Sequence, residues 1–302
     1  SPEGIWPQDN QWGMHDYTRE GAQGCTSFNE IIAKGYGEPQ SAKEFAELAQ
    51  WVNYDGHRSL FESRSQNRKG LLMWMSHSCW PSMVWQTYDY YFEPTAAYFA
   101  IKKASEPLHI QWNPATDEVE VVNYSAGMRK GLTAKVQILN MDGSVAWEKE
   151  ATVDSNEDTT DKCIKLAFPA NLSKVHFIKM VLTENGKVVS DNFYHRSLEE
   201  NNYQDLRQLA KVALQSTTTV DKNADGTWSA VSVIENKTST PALMIRLNVV
   251  GSKDGQQLLP VFYSDNYFSL LPGEKKEVRM SWKDEDTRGN EGKVLITGYN
   301  VE

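Results

Sequence analysis

Gly70 to Pro94 reads GLLMWMSHSCWPSMVWQTYDYYFEP, and the reading of this stretch decides the fold. It opens with an apolar run, Leu71-Leu72-Met73-Trp74-Met75, with a glycine in front and polar residues behind. A short apolar run so bounded predicts a strand buried on both faces, as in a parallel sheet covered by helices. From Trp80 to Phe92 come two tryptophans, three tyrosines and a phenylalanine, with Asp89 among them. Rings beside a few carboxylates and amides suit sugars, because the C–H face of a pyranose stacks on a ring while its hydroxyls hydrogen-bond at the rim. The other use of such rings is packing one domain on the next, which each ring taken singly favours. Their grouping directly behind a buried strand favours a site.

Upstream, residues 1–24 hold Pro2, Pro7, Gly4, Gly13, Gly21 and Gly24 without periodicity and read as irregular loop. Phe28, Ile31, Ile32 and Tyr36 then share a helical face that Gly35 and Gly37 stop. Ser41 with Glu44 three residues on is a capping box. Behind it Phe45, Leu48, Ala49, Val52, Gly56 and Leu60 recur at helical spacing, so a long amphipathic helix is expected from Ser41 to about Arg64. Arg58, Glu62, Arg64 and Arg68 are expected on its solvated face or in local ion pairs. With the strand at Leu71, the loop and a last helix over Thr95 to Ala104, this makes the closing unit of a (β/α)8 barrel. A whole barrel needs roughly 200 residues or more.

The pattern changes after Pro107. Segments from His109, Val119, Thr133, Val145, Ile164, His176 and Val188 alternate polar and apolar residues, separated by turn signals such as Asp142-Gly143 and Asn185-Gly186. About seven short strands over ~90 residues signal an immunoglobulin-like sandwich. Asn201 to Val212 reads as a short helix or linker, and a second strand set follows, with segments at Trp228–Glu235, Ala242–Val250, Leu258–Tyr263, Lys276–Trp282 and Val294–Tyr299. The sets echo once, Ser190-Asp191-Asn192-Phe193-Tyr194 against Ser264-Asp265-Asn266-Tyr267-Phe268. The expected fold is the C-terminal fragment of a (β/α)8 barrel, residues 1–104, a barrel end being what the family resemblance given below implies, followed by two immunoglobulin-like β-sandwiches, residues 105–198 and 199–302.

Composition narrows the function classes. The net charge of −9, without a basic stripe, argues against nucleic acid. No apolar run approaches the ~18 residues of a membrane span, so no membrane partner is expected. The start, Ser1-Pro2-Glu3, has no basic and apolar leader pattern, so a signal peptide is expected to be removed or to lie upstream. Cys25, Cys79 and Cys163 are widely spaced and read as buried free thiols, and the six histidines are scattered. No metal or other cofactor is expected. Asn123-Tyr124-Ser125, Asn171-Leu172-Ser173 and Asn236-Lys237-Thr238 are glycosylation sequons, meaningful in a eukaryotic secretory chain.

Several of these residues carry a family resemblance. Trp74 to Pro81, then Trp85, then Tyr88-Asp89-Tyr90-Tyr91, resembles the last barrel strand and following loop of glycoside hydrolase family 2. The nearer likeness is to exo-β-glucosaminidases and glycoprotein endo-β-mannosidases. His77-Ser78 stands where that family usually carries an amide pair facing the sugar, so sugar specificity stays open. Trp12-Gly13-Met14-His15 resembles the segment that follows the family's nucleophile strand, and His15 reads as structural or substrate-orienting rather than proton-transferring. Asp265-Asn266-Tyr267 with Leu271-Pro272-Gly273-Glu274 resembles the terminal domain of exo-β-glucosaminidases. Asp265 reads as structural before sugar-binding.

The resemblance implies a retaining β-glycosidase that needs two carboxylates about 5 Å apart. In the family these are glutamates at the ends of the fourth and seventh barrel strands, and neither Glu3, Glu20 nor Glu93 matches them. The chain is expected to be a C-terminal fragment without catalytic residues, inactive alone. Trp74, His77, Trp80, Trp85 and His15 are the expected substrate-binding residues for a β-linked glycan. The missing barrel portion or another copy is expected to cover the cut face, and periplasmic or secreted residence is the family expectation. A stand-alone carbohydrate-binding or assembly module is the competing reading.

Overall fold

The protein is described by a computed structural model that covers residues 6–7, 12, 15, 26–63, 70–82 and 86–302. The chain divides into two compact units. One comprises Ser1–Tyr54, Trp74–Phe99 and Gln208–Glu302, the other Asp55–Met73 and Ala100–Arg207.

The second unit contains a complete seven-stranded sandwich. Its strands are β1 (Leu108–Asn113), β2 (Glu118–Asn123), β3 (Arg129–Asn140), β4 (Val145–Ser155), β5 (Thr159–Lys165), β6 (Val175–Glu184) and β7 (Lys187–Ser197). They form an antiparallel three-stranded sheet, β1-β2-β5, and a four-stranded one, β4-β3-β6-β7. Alternation dictates the core: Leu132, Ala134, Val136 and Ile138 of β3 all point inward against Ile110, Val119 and Val121. The β6–β7 hairpin is closed by Asn185 and Gly186, both at positive φ (51° and 75°). A two-residue loop of this kind has the twist that matches its strands.

The last turn of a helix completes this unit. Helix α1 spans Thr26–Tyr36, α2 Ala42–Glu62 and α3 Ala96–Ala104. Ser41 caps α2, its hydroxyl accepting from the Glu44 amide at 3.2 Å, while the Glu44 carboxylate accepts from the Gln40 amide at 2.7 Å. At the other end Arg58 and Glu62 are buried, not solvated. The helical pattern reads only apolar positions, whereas these two charges are buried because each finds a full set of partners. Arg58 donates to Asn192 Oδ1 at 3.1 Å and to Asp55, and lies 4.0 Å over the Tyr194 ring. Glu62 accepts from Asn192 (2.7 Å), the Tyr194 hydroxyl (2.9 Å) and His109 Nε2 (3.2 Å). His109 Nδ1 faces Glu106 at 3.2 Å, so both ring nitrogens meet a carboxylate. Arg64 and Arg68 lie outside the described residues.

The first unit holds the other sandwich: β8 (Gln215–Lys222), β9 (Thr227–Glu235), β10 (Ala242–Gly251), β11 (Phe262–Tyr263), β12 (Phe268–Leu270), β13 (Lys275–Lys283) and β14 (Gly292–Thr297). Its sheets are β12-β10-β14 and β11-β13-β9-β8. Here the Leu271–Glu274 turn is closed by the Glu274 amide donating to Leu271 O at 3.0 Å, with Gly273 at φ 81° donating to Asn236 O at 2.7 Å. Asp265 pairs with Lys276 and accepts from the Asn266 amide, a structural use. The early part of α2 packs through Phe45 on Trp12 (4.8 Å between ring centroids) and through Trp51 on Tyr299 (5.0 Å).

The strand expected at Leu71–Met75 is not formed. Gly70–Met75 is irregular, Leu72 is fully exposed and Trp74 is 78% exposed. Hydrophobicity alone does not make a strand, which needs a partner strand alongside, and none of the described strands pairs with this run. Among the described residues the first hundred supply helices and loops without a named strand. Lesser differences have similar causes. Ile31 and Leu60 are exposed, since Trp51 and Phe61 take the buried stripe of α2 and Ile32 and Tyr36 that of α1. Of Leu258–Tyr263 only Phe262–Tyr263 is strand, and β5 begins at Thr159. Cys79 is exposed and Cys163 half-buried, its thiol pushed up to about 11 by burial; Cys25 lies outside the described residues.

Two buried histidines set opposite pH limbs of stability. Burial opposes the His109 cation, but hydrogen bonds to Glu106 and Glu62 outweigh it and raise its pKa above 6.5. Its contribution is full below that ordinary value and is lost as pH rises through the raised one. For His195, burial outweighs the attraction of Asp55 and pushes the pKa from 6.5 down to about 3. The unfolded chain therefore takes up a proton there between 6.5 and about 3 that the folded chain refuses, and stability falls in that window. Urea midpoints measured from about pH 4 to about pH 9 are expected to peak near neutrality. His109→Gln is expected to flatten the alkaline limb only; an unchanged alkaline limb counts against the paired-carboxylate account.

Candidate functional site

The loop behind Met75 is built on backbone hydrogen bonds. Ser76 O accepts from the Tyr88 amide and the Thr87 hydroxyl, both at 2.9 Å. Thr95 donates its amide to Thr87 O at 2.9 Å, drawing the two ends of the loop together. Asp89 staples the tip: its Oδ1 accepts from the amides of Tyr91 and Glu93, each at 2.8 Å. Burial, resisted by these amides, raises the Asp89 pKa. Phe92 sits at φ 68°, a left-handed turn position fixed by its own amide bond to Asp89 O. Asp89 thus shapes the loop.

This framework sorts the expected site residues into two stacks. His77 lies parallel to Phe92, with centroids 4.4 Å apart and planes 13° apart. Its Nε2 reaches Tyr90 O at 3.3 Å. His15 stacks on Trp80 at 5.6 Å and 22°. His15 Nδ1 donates to Pro81 O at 2.7 Å, which fixes the orientation of the ring. Trp80, Tyr91 and Phe92 keep much of their surface in solvent, as Trp74 does. Trp85 lies outside the described residues. Open ring faces beside imidazole nitrogens and backbone carbonyls suit a sugar ring. Among the described residues no group of three or more His, Cys, Asp or Glu is placed to hold a metal.

Sequence reasoning missed the residues behind the loop. Glu93 accepts from Arg246 and from Asn248 Nδ2 (3.0 Å) of β10. Attraction to Tyr267 and Glu93 outweighs burial and raises the Arg246 pKa further, so its charge is permanent. A signal was present: Arg246 and Asn248 interrupt the otherwise apolar run Ala242–Val250 at alternate positions.

The exposure of Trp80 makes a stability test. Trp80 is 39% exposed and Trp282 2%. Trp80→Ala is expected to leave the melting temperature nearly unchanged, whereas Trp282→Ala is expected to cost ~3–5 kcal/mol. Calorimetric melting of both variants checks this; a comparable loss in both assigns Trp80 to the core.

Comparison with known proteins follows the same geometry. Residues 192–301 match the family described as the exo-β-D-glucosaminidase Ig-fold domain. An exo-β-D-glucosaminidase of Streptomyces avermitilis is 32% identical over 91% of this chain and 34% of its own length. The mannosylglycoprotein endo-β-mannosidase of Lilium longiflorum is 24% identical over 96% of this chain and 37% of its own. The crystal structure of the exo-chitosanase of Amycolatopsis orientalis superposes with a TM-score of 0.86 at 29% identity, over 92% of this chain and 36% of that one. The chain spans about a third of the length of the curated relatives it matches. Residues 192–301 thus match the immunoglobulin-fold domain of exo-β-D-glucosaminidases, in a chain similar over most of its length to glycosidases named exo-β-D-glucosaminidase and endo-β-mannosidase.

Proposed function

We propose that the chain is the C-terminal part of a retaining family 2 β-glycosidase, acting on β-linked glucosaminides or mannosides. Homology over most of the chain, at a third of the relatives' length, carries this reading. Helices α1 and α2, the Gly70–Pro94 loop and α3 are then the closing part of the barrel, in residues 1–104, ahead of sandwiches in 105–198 and 199–302. Both catalytic glutamates come from a part of the protein outside these 302 residues. Trp74, His77, Trp80 and His15 line the sugar site, and Trp85, outside the described residues, is assigned to it from the sequence alone. His15, tied through Nδ1 to Pro81 O, orients substrate and moves no proton. In such enzymes one carboxylate attacks the anomeric carbon while the other protonates the departing oxygen, and water then releases the sugar with its configuration retained. No helix among the described residues is long and apolar enough to cross a membrane, and we place the protein in the periplasm or outside the cell.

The test compares this chain with the protein extended upstream. The 302 residues alone are expected to hydrolyse neither an aryl β-D-glucosaminide nor an aryl β-D-mannoside. The extended protein is expected to hydrolyse at least one, giving the β-anomer first by NMR. Trp80→Ala in the extended protein should lower kcat/KM by about a hundredfold, the loss expected when a positioning contact goes. Turnover by the purified chain alone, or an inverted product, refutes the proposal.

A further inference from the structure

Beyond its own hydrogen bonds, the sugar-facing loop is tied to the sandwich of the first unit through Glu93. Strand β10 buries every position of Ala242–Gly251 except Arg246 and Asn248. These alternate positions share one face of the strand, and both side chains donate to the same oxygen, Glu93 Oε1, Asn248 at 3.0 Å. The Arg246 guanidinium lies 5.8 Å from the centre of the Tyr267 ring, so the cation is itself held. A charged pair reinforced by a second donor fixes a carboxylate in direction as well as in place.

This anchor grips the turn that carries Phe92. At φ 68° Phe92 occupies a conformation that a side chain keeps only where its surroundings over-determine it. On one side the Phe92 amide donates to Asp89 O at 3.1 Å. On the other the Glu93 amide donates to Asp89 Oδ1 at 2.8 Å, and Glu93 O accepts from the Asp89 amide at 3.0 Å. Pro94 then bridges to Tyr88, and Tyr88 to His77. Phe92 and His77 therefore stack across three short segments, and β10 holds the last of them. Asp89 closes the turn on itself. Glu93 ties it to a strand, and strands hold a site more tightly than loops do.

We propose that Arg246 and Asn248 are positioning residues, which act through Glu93 to hold the Phe92–His77 stack in its sugar-receiving arrangement. That a sugar is received rests on the glycosidase reading above; the positioning of the stack does not. Without the anchor only a fraction of the loops is arranged to bind, and apparent affinity falls by that fraction. Bound substrate restores the arrangement, so KM rises while kcat is kept. Loss of a merely stabilising contact does the reverse, lowering the amount of folded enzyme and with it the apparent kcat at an unchanged KM. Two readouts test this. In this chain the His77 Cε1 proton lies beside the face of Phe92 and is expected upfield of an exposed histidine by NMR, with His77→Gln assigning the signal and Phe92→Leu calibrating it. Arg246→Met should move it at least halfway to its Phe92→Leu position, well below the melting temperature. Asn248→Ala, the milder cut, should move it the same way by less. Lys276→Met, which breaks a comparably buried ion pair with Asp265 in the same sandwich, should leave it in place. In the extended protein Arg246→Met should raise KM for the aryl glycoside about tenfold at nearly unchanged kcat, as a binding-ready fraction of about one tenth requires. Arg246→Lys, which keeps the charge without the fork, should recover part of that loss. A His77 signal unmoved by both anchor variants, one moved equally by Lys276→Met, or a loss confined to kcat overturns the proposal. If the extended protein proves inactive, the glycosidase reading falls and the His77 signal alone decides the positioning.

Discussion

A charge taken out of water must be met by partners where it lands, and this requirement organises the second unit around Arg58 and Glu62. Neither side chain reaches solvent, and leaving either unpaired inside would cost several kcal/mol. The residues that meet them come from β1 and β7 and from the segment before β1: His109, Asn192, Tyr194 and, through His109, Glu106. Asn192 serves both charges at once, accepting from Arg58 with its oxygen and donating to Glu62 with its nitrogen. Such a network tolerates no slip of register, because one residue of shift along β7 turns Asn192 and Tyr194 to the other face. Hydrophobic packing closes the sandwich, and the network fixes which residues of the helix end it accepts.

The echo between Asp191-Asn192-Phe193 and Asp265-Asn266-Tyr267 takes its meaning from the same logic. Asn266 is also buried, yet it turns back on its own sandwich, donating to Leu247 O and accepting from the Leu247 amide. The first copy therefore meets side-chain charges where the second meets backbone. A second pair behaves alike in both sandwiches. Asn123 and Asn236 are fully buried, and each uses its oxygen for the Ser or Thr two residues on and its amide for two carbonyls. The sequon pattern at these positions is thus a buried turn lock, and a glycan on either nitrogen would displace bonds the turn depends on. Asn171, by contrast, is exposed.

Much of the architecture was legible because it rests on local signals. Alternation along β3 and β10, Asn185-Gly186 and the Ser41–Glu44 cap each act within a few residues, and the structure places each where the spacing implied. What failed depended on distant partners. The periodicity of α2 says nothing of Asn192, more than a hundred residues away, so Arg58 and Glu62 read as solvated or locally paired; the local pair of Arg58 with Asp55 is there, but the burial was not foreseen. The Leu71–Met75 run is apolar enough for a strand, but pairing is a property of neighbours. For the candidate site the sequence placed the rings close together along the chain. It did not show that His77 pairs with Phe92 and His15 with Trp80, or that Asp89 is spent on the turn.

The exposed run is itself informative. Single exposed apolar residues are ordinary on folded proteins. Leu72 and Trp74, two positions apart and both largely in water, are less so. At ~25 cal/mol per Å² their uncovered surface is a standing cost, and nothing among the described residues relieves it. Trp80, Tyr91 and Phe92 continue the exposure into the loop, but there the rings are held by hydrogen-bonded turns and stacked on histidines. The two stretches therefore differ in kind. The loop is shaped by its own hydrogen bonds, whereas Gly70–Met75 forms no strand.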